Sequence, residues 1–126
     1  MQPTQVESAL AGLVTPEMQS VAEMEGLPAA LIREEVAQGR IVIPNNRSRP
    51  SRVVGIGKGL RTKINASIGT STDIVDYDAE IRKALAAQAA GADTLMELSV
   101  GGDLDRIRRE VLAAVELPVG DTGRAG

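Results

Sequence analysis

Two stretches carry residue types and spacing suited to building a binding site. They are Arg61-Thr-Lys-Ile-Asn-Ala-Ser-Ile-Gly-Thr-Ser71 and Gly91-Ala-Asp-Thr-Leu-Met-Glu-Leu-Ser-Val-Gly101. Each reads as a short buried strand ending in small, hydrogen-bonding residues, with a helical pattern between them. Parallel α/β proteins place ligand-binding groups at the carboxyl ends of their strands in this way. The residues so nominated are Ser67, Gly69, Thr70 and Ser71 after the first strand, and Met96, Glu97, Ser99, Gly101 and Gly102 around the end of the second. Gly120 and Asp121 follow a third. Hydroxyls there can donate to ribose or phosphate oxygens, and glycines admit a ligand to the backbone. The same residues also make ordinary βα turns.

Strand alternation puts Leu95, Glu97 and Ser99 on one side and Met96 and Leu98 on the other. A carboxylate among interior residues requires a partner. Glu97 is therefore expected to form a structural ion pair, with Lys63 of the neighbouring strand as the candidate, and Asn65 is expected to be a satisfied interior polar group.

The elements that must position these groups follow from the pattern. Residues 1–12 read as a frayed terminus. Thr15-Pro16-Glu17 is a helix start, with Thr as N-cap and Pro at the first position, and Gly26 is the stop. A second helix starts at Pro28, carries Leu31, Ile32 and Val36, and ends at Gly39. Arg40–Ile43 is a short strand stopped by Pro44, residues 45–52 are loop, and Val53-Val54 is a further short strand. Gly55, Gly57 and Gly59 match neither the dinucleotide fingerprint nor a P-loop and read as a turn. Strands are expected at 63–68, 94–98 and 117–119. Between them lie a helix capped by Asp76 or Asp78 that carries Ile81, Leu85 and several alanines, and a helix capped by Asp103 with Leu104, Ile107, Val111 and Val115 on one stripe. Strand–helix–strand–helix–strand with these connections implies parallel strands. The division expected is a helical and short-strand region over 1–60, and the start of a barrel over 61–126. The fold class is α/β, with the first three strands and two helices of an incomplete (β/α)8 barrel.

Composition narrows the chemistry. The 126 residues carry a net charge of −3, a single aromatic residue (Tyr77), and neither Cys nor His. The chain thus supplies no thiolate nucleophile, no cysteine for an iron–sulfur cluster and no imidazole. Catalytic and metal-ligating residues are expected to be none. Arg47, Arg49, Arg52, Lys58, Arg61 and Lys63 form a loose basic stretch without aromatic platforms, so it reads as a solvated or phosphate-facing loop and not a nucleic-acid site. No apolar run is long enough for a membrane span, and the N-terminus lacks signal-peptide layout, so a cytoplasmic protein is expected.

The ordered motifs Val14-Thr-Pro-Glu-Met18, Ile32–Arg40, Ile43-Pro-Asn-Asn46, Lys63–Ser71, Gly91–Ser99 and Pro118-Val-Gly120 resemble the phosphomethylpyrimidine synthase family of thiamine biosynthesis. The similarity covers nearly all of residues 13–120. It implies the N-terminal part of a radical S-adenosylmethionine lyase that converts aminoimidazole ribotide to hydroxymethylpyrimidine phosphate, inactive as this piece alone. The family's [4Fe–4S] cluster, S-adenosylmethionine and zinc are held by later residues, so this chain carries no cofactor of its own. The implied partners are the small-molecule ribotide, a second subunit in a homodimer, or a missing C-terminal half, with no nucleic acid or membrane. The resemblance places substrate contacts on Met96 and on Ser67, where the family has asparagine. Thr70 replaces another asparagine of the thiamine enzymes. Both departures resemble the sister branch, the 5-hydroxybenzimidazole synthases of cobamide lower-ligand biosynthesis. After Gly120 the sequence Asp121-Thr-Gly-Arg-Ala-Gly126 leaves the family pattern, from which a truncation, frameshift or split gene is expected. A non-catalytic binding or assembly module, or a gene remnant, are the remaining alternatives.

Overall fold

The computed structural model describes residues 2–121. The fold is α/β. The chain divides into two compact units, Met1–Ser48 with Val53–Thr62, and Arg49–Arg52 with Lys63–Gly126. No helix among the described residues is long and apolar enough to cross a membrane.

The first unit contains α1 (Gln5–Leu10), α2 (Pro16–Glu25), α3 (Ala29–Ala37), β1 (Ile41–Val42) and β2 (Ile56–Gly57). The expectation of a frayed terminus is corrected by α1. The Thr4 hydroxyl accepts from the Glu7 amide at 3.2 Å while the Glu7 carboxylate accepts from the Thr4 amide at 2.7 Å, a reciprocal cap that satisfies two end donors. Ala9 is fully buried behind it. Helix α2 begins and ends as its sequence dictates, with the Thr15 hydroxyl on the Met18 amide and Gly26 in the left-handed region. The core is aliphatic, built from Met18, Val21, Ile32, Val36, Ile41 and Ile43. Leu31, expected on the buried stripe, is exposed.

The second strand is not Val53-Val54. Ile56–Gly57 pairs antiparallel with β1, placing Gly57 opposite Ile41. Gly57 has φ +148°, and a Cβ there would collide with the Arg40 carbonyl, so glycine is what lets the two backbones close. Val53 and Val54 serve as packing residues instead.

The second unit contains β3 (Asn65–Ile68), α4 (Tyr77–Ala89), β4 (Thr94–Glu97), α5 (Leu104–Ala114) and β5 (Val119–Asp121). The strands form a parallel sheet in the order β3-β4-β5. Asp76 and Asp103 cap the helices through the amides of Ala79 and Arg106. β3 and β4 are shorter than their sequence patterns, and β5 begins two residues later than expected, so Gly120 and Asp121 lie within it. Before β3, the Ile64 amide is held by the Asp93 carboxylate at 2.7 Å, and before β5, Pro118 has no donor to offer. Ala66 and Ile68, Leu95, and Val119 point from one face of the sheet into a core with Ala84, Ile107, Val111, Val115 and Leu117. Both helices therefore cover the same face. On α5 the expected stripe holds, with Leu104 half-buried and the others buried. On α4 the buried residues are Glu80 and Ala84, whereas Leu85 is 44% exposed.

Candidate functional site

The opposite face of this sheet is uncovered by α4 and α5, and the sequence-nominated residues separate cleanly between the two faces. Ser67 pairs in register with Met96, and Met96 with Gly120, so the three form one row across the sheet. Ser67 and Met96 alternate with the core residues Ala66, Ile68 and Leu95, which fixes them on the open face. The Met96 thioether lies over Gly120: a Cβ at residue 120 would stand 2.8 Å from its sulfur. One strand step toward the amino ends, the Thr94 hydroxyl donates to the Asn65 side-chain oxygen at 2.9 Å, and Asn65 is exposed on this face. The row thus offers a hydroxyl, a soft polarisable sulfur and a bare backbone, a surface suited to one polar anchor and one apolar contact.

The remaining nominated hydroxyls are committed to the protein. The Thr70 amide donates to the Ser99 hydroxyl at 3.0 Å, and the Thr70 hydroxyl donates to the Gly101 carbonyl at 2.6 Å. The Ser71 hydroxyl accepts from the Ile74 amide at 2.9 Å, closing its own loop. Gly101 packs directly on the Ser71 carbonyl, and Gly102 abuts Val75 and the Tyr77 hydroxyl, so both glycines serve close loop packing. Gly69 has its backbone against Leu98 and Ser99. These contacts lace the β3 and β4 loops together beside the open row.

Glu97 is fully buried, as are Leu95 and Ser99 on its side of the strand, and that side faces α5. Glu97 forms the expected structural ion pair, but on the helix face of the sheet and with Arg108. Its Oε1 accepts from the Ser99 amide at 2.8 Å, and its Oε2 accepts from Arg108 of α5 at 3.3 Å. The same Arg108 lies 3.5 Å from the Asp121 carboxylate. Strand alternation alone does not reveal a partner on a helix. Arg108 is one residue after Ile107 on the buried stripe, and that adjacency was the available signal.

The basic stretch is largely exposed, with Arg47, Arg52, Lys58 and Arg61 on the surface, yet three of its arginines also bind within the fold. Arg47 donates to the carbonyls of Gln2 and Pro3. Arg49 donates to the carbonyls of Leu112, Val115 and Leu117. Arg52 pairs with Glu116. In the first unit, a groove of about 620 Å³ is lined by Thr4, Val6, Val36, Ile41, Ile43 and Arg47, among others. Because Arg47 is spent on backbone carbonyls, this groove is a seam of the fold.

Residues 4–123 match the model of the radical SAM ThiC family, and the chain belongs to that family. It is 67% identical to a 5-hydroxybenzimidazole synthase of Geobacter metallireducens, over 94% of this chain and 27% of that protein. It is 64% identical to the 5-hydroxybenzimidazole synthase of Geobacter sulfurreducens, over the same shares. It is 57% identical to phosphomethylpyrimidine synthase 1 of Methanosarcina barkeri, over 93% of this chain and 27% of that protein. The chain thus spans about a quarter of the length of these relatives. Radical SAM chemistry uses an iron–sulfur cluster, whose protein ligands are cysteines. This chain has neither Cys nor His, and the described residues include no group of acidic residues able to hold a metal ion. Its residues do not fit such a group.

Proposed function

We propose that this chain is the N-terminal part of a radical S-adenosylmethionine enzyme acting on aminoimidazole ribotide, of the 5-hydroxybenzimidazole synthase branch. The observation that carries the branch is the identity of 64–67% to the Geobacter hydroxybenzimidazole synthases against 57% to the methanosarcinal phosphomethylpyrimidine synthase. Ser67 and Thr70 support it, since the resemblance gives asparagines at these positions to the thiamine enzymes. The thiamine branch is the second reading, favoured by the same family membership.

In this reading residues 1–60 precede the catalytic barrel, and residues from 61 onward open it. Two observations support a barrel over a doubly wound sheet: the strands are ordered as they occur in the sequence, and both helices lie on one face. The uncovered face then becomes the inside. There Ser67 hydrogen-bonds the ribotide and Met96 packs its thioether against it. The cluster, the zinc and S-adenosylmethionine are supplied by other parts of the full enzyme, which acts as a homodimer.

The test is a chimera in which residues 4–121 replace the matching segment of the Geobacter metallireducens enzyme. Formation of 5-hydroxybenzimidazole is the expected result. Release of hydroxymethylpyrimidine phosphate instead would move the chain to the thiamine branch. A folded, cluster-loaded chimera that consumes no ribotide would overturn both.

A further inference from the structure

Glu97 and Asp121 are register partners in adjacent parallel strands, so their carboxylates stand side by side on the helix face of the sheet. Neighbouring parallel strands are only about 4.8 Å apart, and two like charges at that spacing repel. The Arg108 guanidinium lies against both. Arg108 of α5 reaches Glu97 at 3.3 Å and Asp121 at 3.5 Å, with its side chain 16% exposed and that of Glu97 fully buried. Its neighbours on the helix are otherwise engaged or directed. Arg106 lies over the Tyr77 ring at 4.0 Å and bonds Glu110, and Arg109 is exposed.

The strand held in this way is the one that carries Gly120. β5 is an edge strand of three residues whose register with β4 sets Gly120 beside Met96. A slip or lift of β5 would remove the floor on which the Met96 thioether rests. Beyond Glu97, the polar chain continues through the Ser99 amide, the Ser99 hydroxyl and the Thr70 amide to the end of β3. One cation on the helix side is therefore connected to the carboxyl ends of all three strands.

We infer that Arg108 is a positioning residue for the open face: by separating the Glu97 and Asp121 carboxylates it holds β5 in register and fixes the Ser67–Met96–Gly120 row from behind. Both contacts are made by the Arg108 Nε, and a lysine keeps the charge but carries no nitrogen at that point of its side chain. The role in ligand binding rests on the reading that this face receives the ribotide.

The test uses the whole chain with ¹³C-labelled methionine methyls. Met96 reports the open face, while Met18, buried in the first unit, is the internal reference. In Arg108→Lys, the Met96 methyl resonance shifts or broadens and that of Met18 does not. Glu110→Gln, on the same helix, leaves Met96 unchanged. Because Arg108→Lys can leave Glu97 poorly paired, a second variant, Glu97→Gln with Arg108→Met, removes both buried charges together. With no carboxylate pair left to separate, it should give a Met96 signal closer to the native one than Arg108→Lys does while keeping its fold, read from the Tyr77 ring resonances. A native Met96 resonance in folded Arg108→Lys, or a double variant displaced as far as Arg108→Lys, overturns the inference. Unfolding of both variants also overturns it, by making Arg108 a general requirement of the fold. Titration with aminoimidazole ribotide separates the two claims. If the wild-type Met96 signal ignores the ribotide, the substrate reading fails while the positioning role is still judged on the methyl shift. If it responds, Arg108→Lys should bind on the order of tenfold more weakly, as expected for sites coupled through a shared backbone shift.

Discussion

The guanidinium of Arg49 donates to the carbonyl of Leu117 at 2.9 Å, joining a loop residue to the entry of β5. It also donates to the carbonyls of Leu112 at 3.1 Å and Val115 at 2.5 Å. Helix α5 has no basic residue in its last turn, and its C-cap, Val115, is extended. The end carbonyls that a helix leaves open are met by a side chain from far earlier in the sequence. Arg49→Ala should therefore destabilise the second unit by about 2–4 kcal/mol, since hydrogen bonds from a charged donor to partly buried acceptors are lost. Arg52→Ala, which breaks an exposed pair with Glu116, should cost under about 1 kcal/mol. Urea unfolding followed by Tyr77 emission distinguishes the two, Tyr77 being the only aromatic residue.

Gly57→Ala should disrupt the first unit. The added Cβ would meet the Arg40 carbonyl and come within 2.8 Å of the Ile41 Cα, at a φ of +148°. Strain and overpacking together should cost about 2–4 kcal/mol. Gly59→Ala is the control, with φ +81° and nothing within 4 Å, and should cost about 1 kcal/mol. Protection of the Lys58 amide, which donates to the Arg40 carbonyl, should fall in the first variant and survive in the second.

The cap on α1 should loosen in acid. Hydrogen bonds from the Thr4 amide and, secondarily, the Thr4 side chain hold the Glu7 carboxyl below the ordinary glutamate range. A depressed folded value means that the cap contributes fully above the unfolded value, near about 4.3, and is lost as pH falls through the lower folded value. The Thr4 amide resonance should follow that titration. In Glu7→Gln the pH dependence should vanish, and a Thr4 shift that persisted unchanged would refute the assignment.

Iron and sulfide added anaerobically to this chain should give no thiolate-to-iron absorption, and S-adenosylmethionine mixed with it under reducing conditions should remain intact. The reason is the ligand inventory, which contains no cysteine. Cleavage to a deoxyadenosyl product by the purified chain would contradict this.

Much of the scaffold was legible because its punctuation is local. Thr15, Asp103 and Gly26 mark helix ends by chemistry that needs no tertiary context. The period-2 rhythm around Leu95, Met96 and Glu97 correctly separated two faces of a strand. The α1 cap was equally local, Thr4-Gln-Val-Glu7 being a capping-box pattern, but its position near the terminus suggested fraying. What escaped reading depended on distance in the sequence. Glu97 finds Arg108 on a helix, Arg49 finds carbonyls beyond residue 110, and Gly57 is shaped by the Arg40 backbone. A pattern of side chains along one segment carries no record of such partners. That Ala84 is buried while its neighbour Leu85 is exposed likewise depends on how closely the helix approaches the sheet.

The Arg49–Arg52 segment belongs with residues made much later, and this sets an order on synthesis. The chain returns to the first unit at Val53 before the second begins in earnest at Lys63. Every residue of the first unit has left the ribosome's active site before the acceptors of Arg49, at residues 112–117, are translated. At about 5–20 residues per second, Arg49 waits roughly 3–14 seconds for its carbonyls. A nascent chain paused before residue 112 would carry a folded first unit and an arginine still hydrated, and completion of α5 would be the event that draws this segment out of solvent.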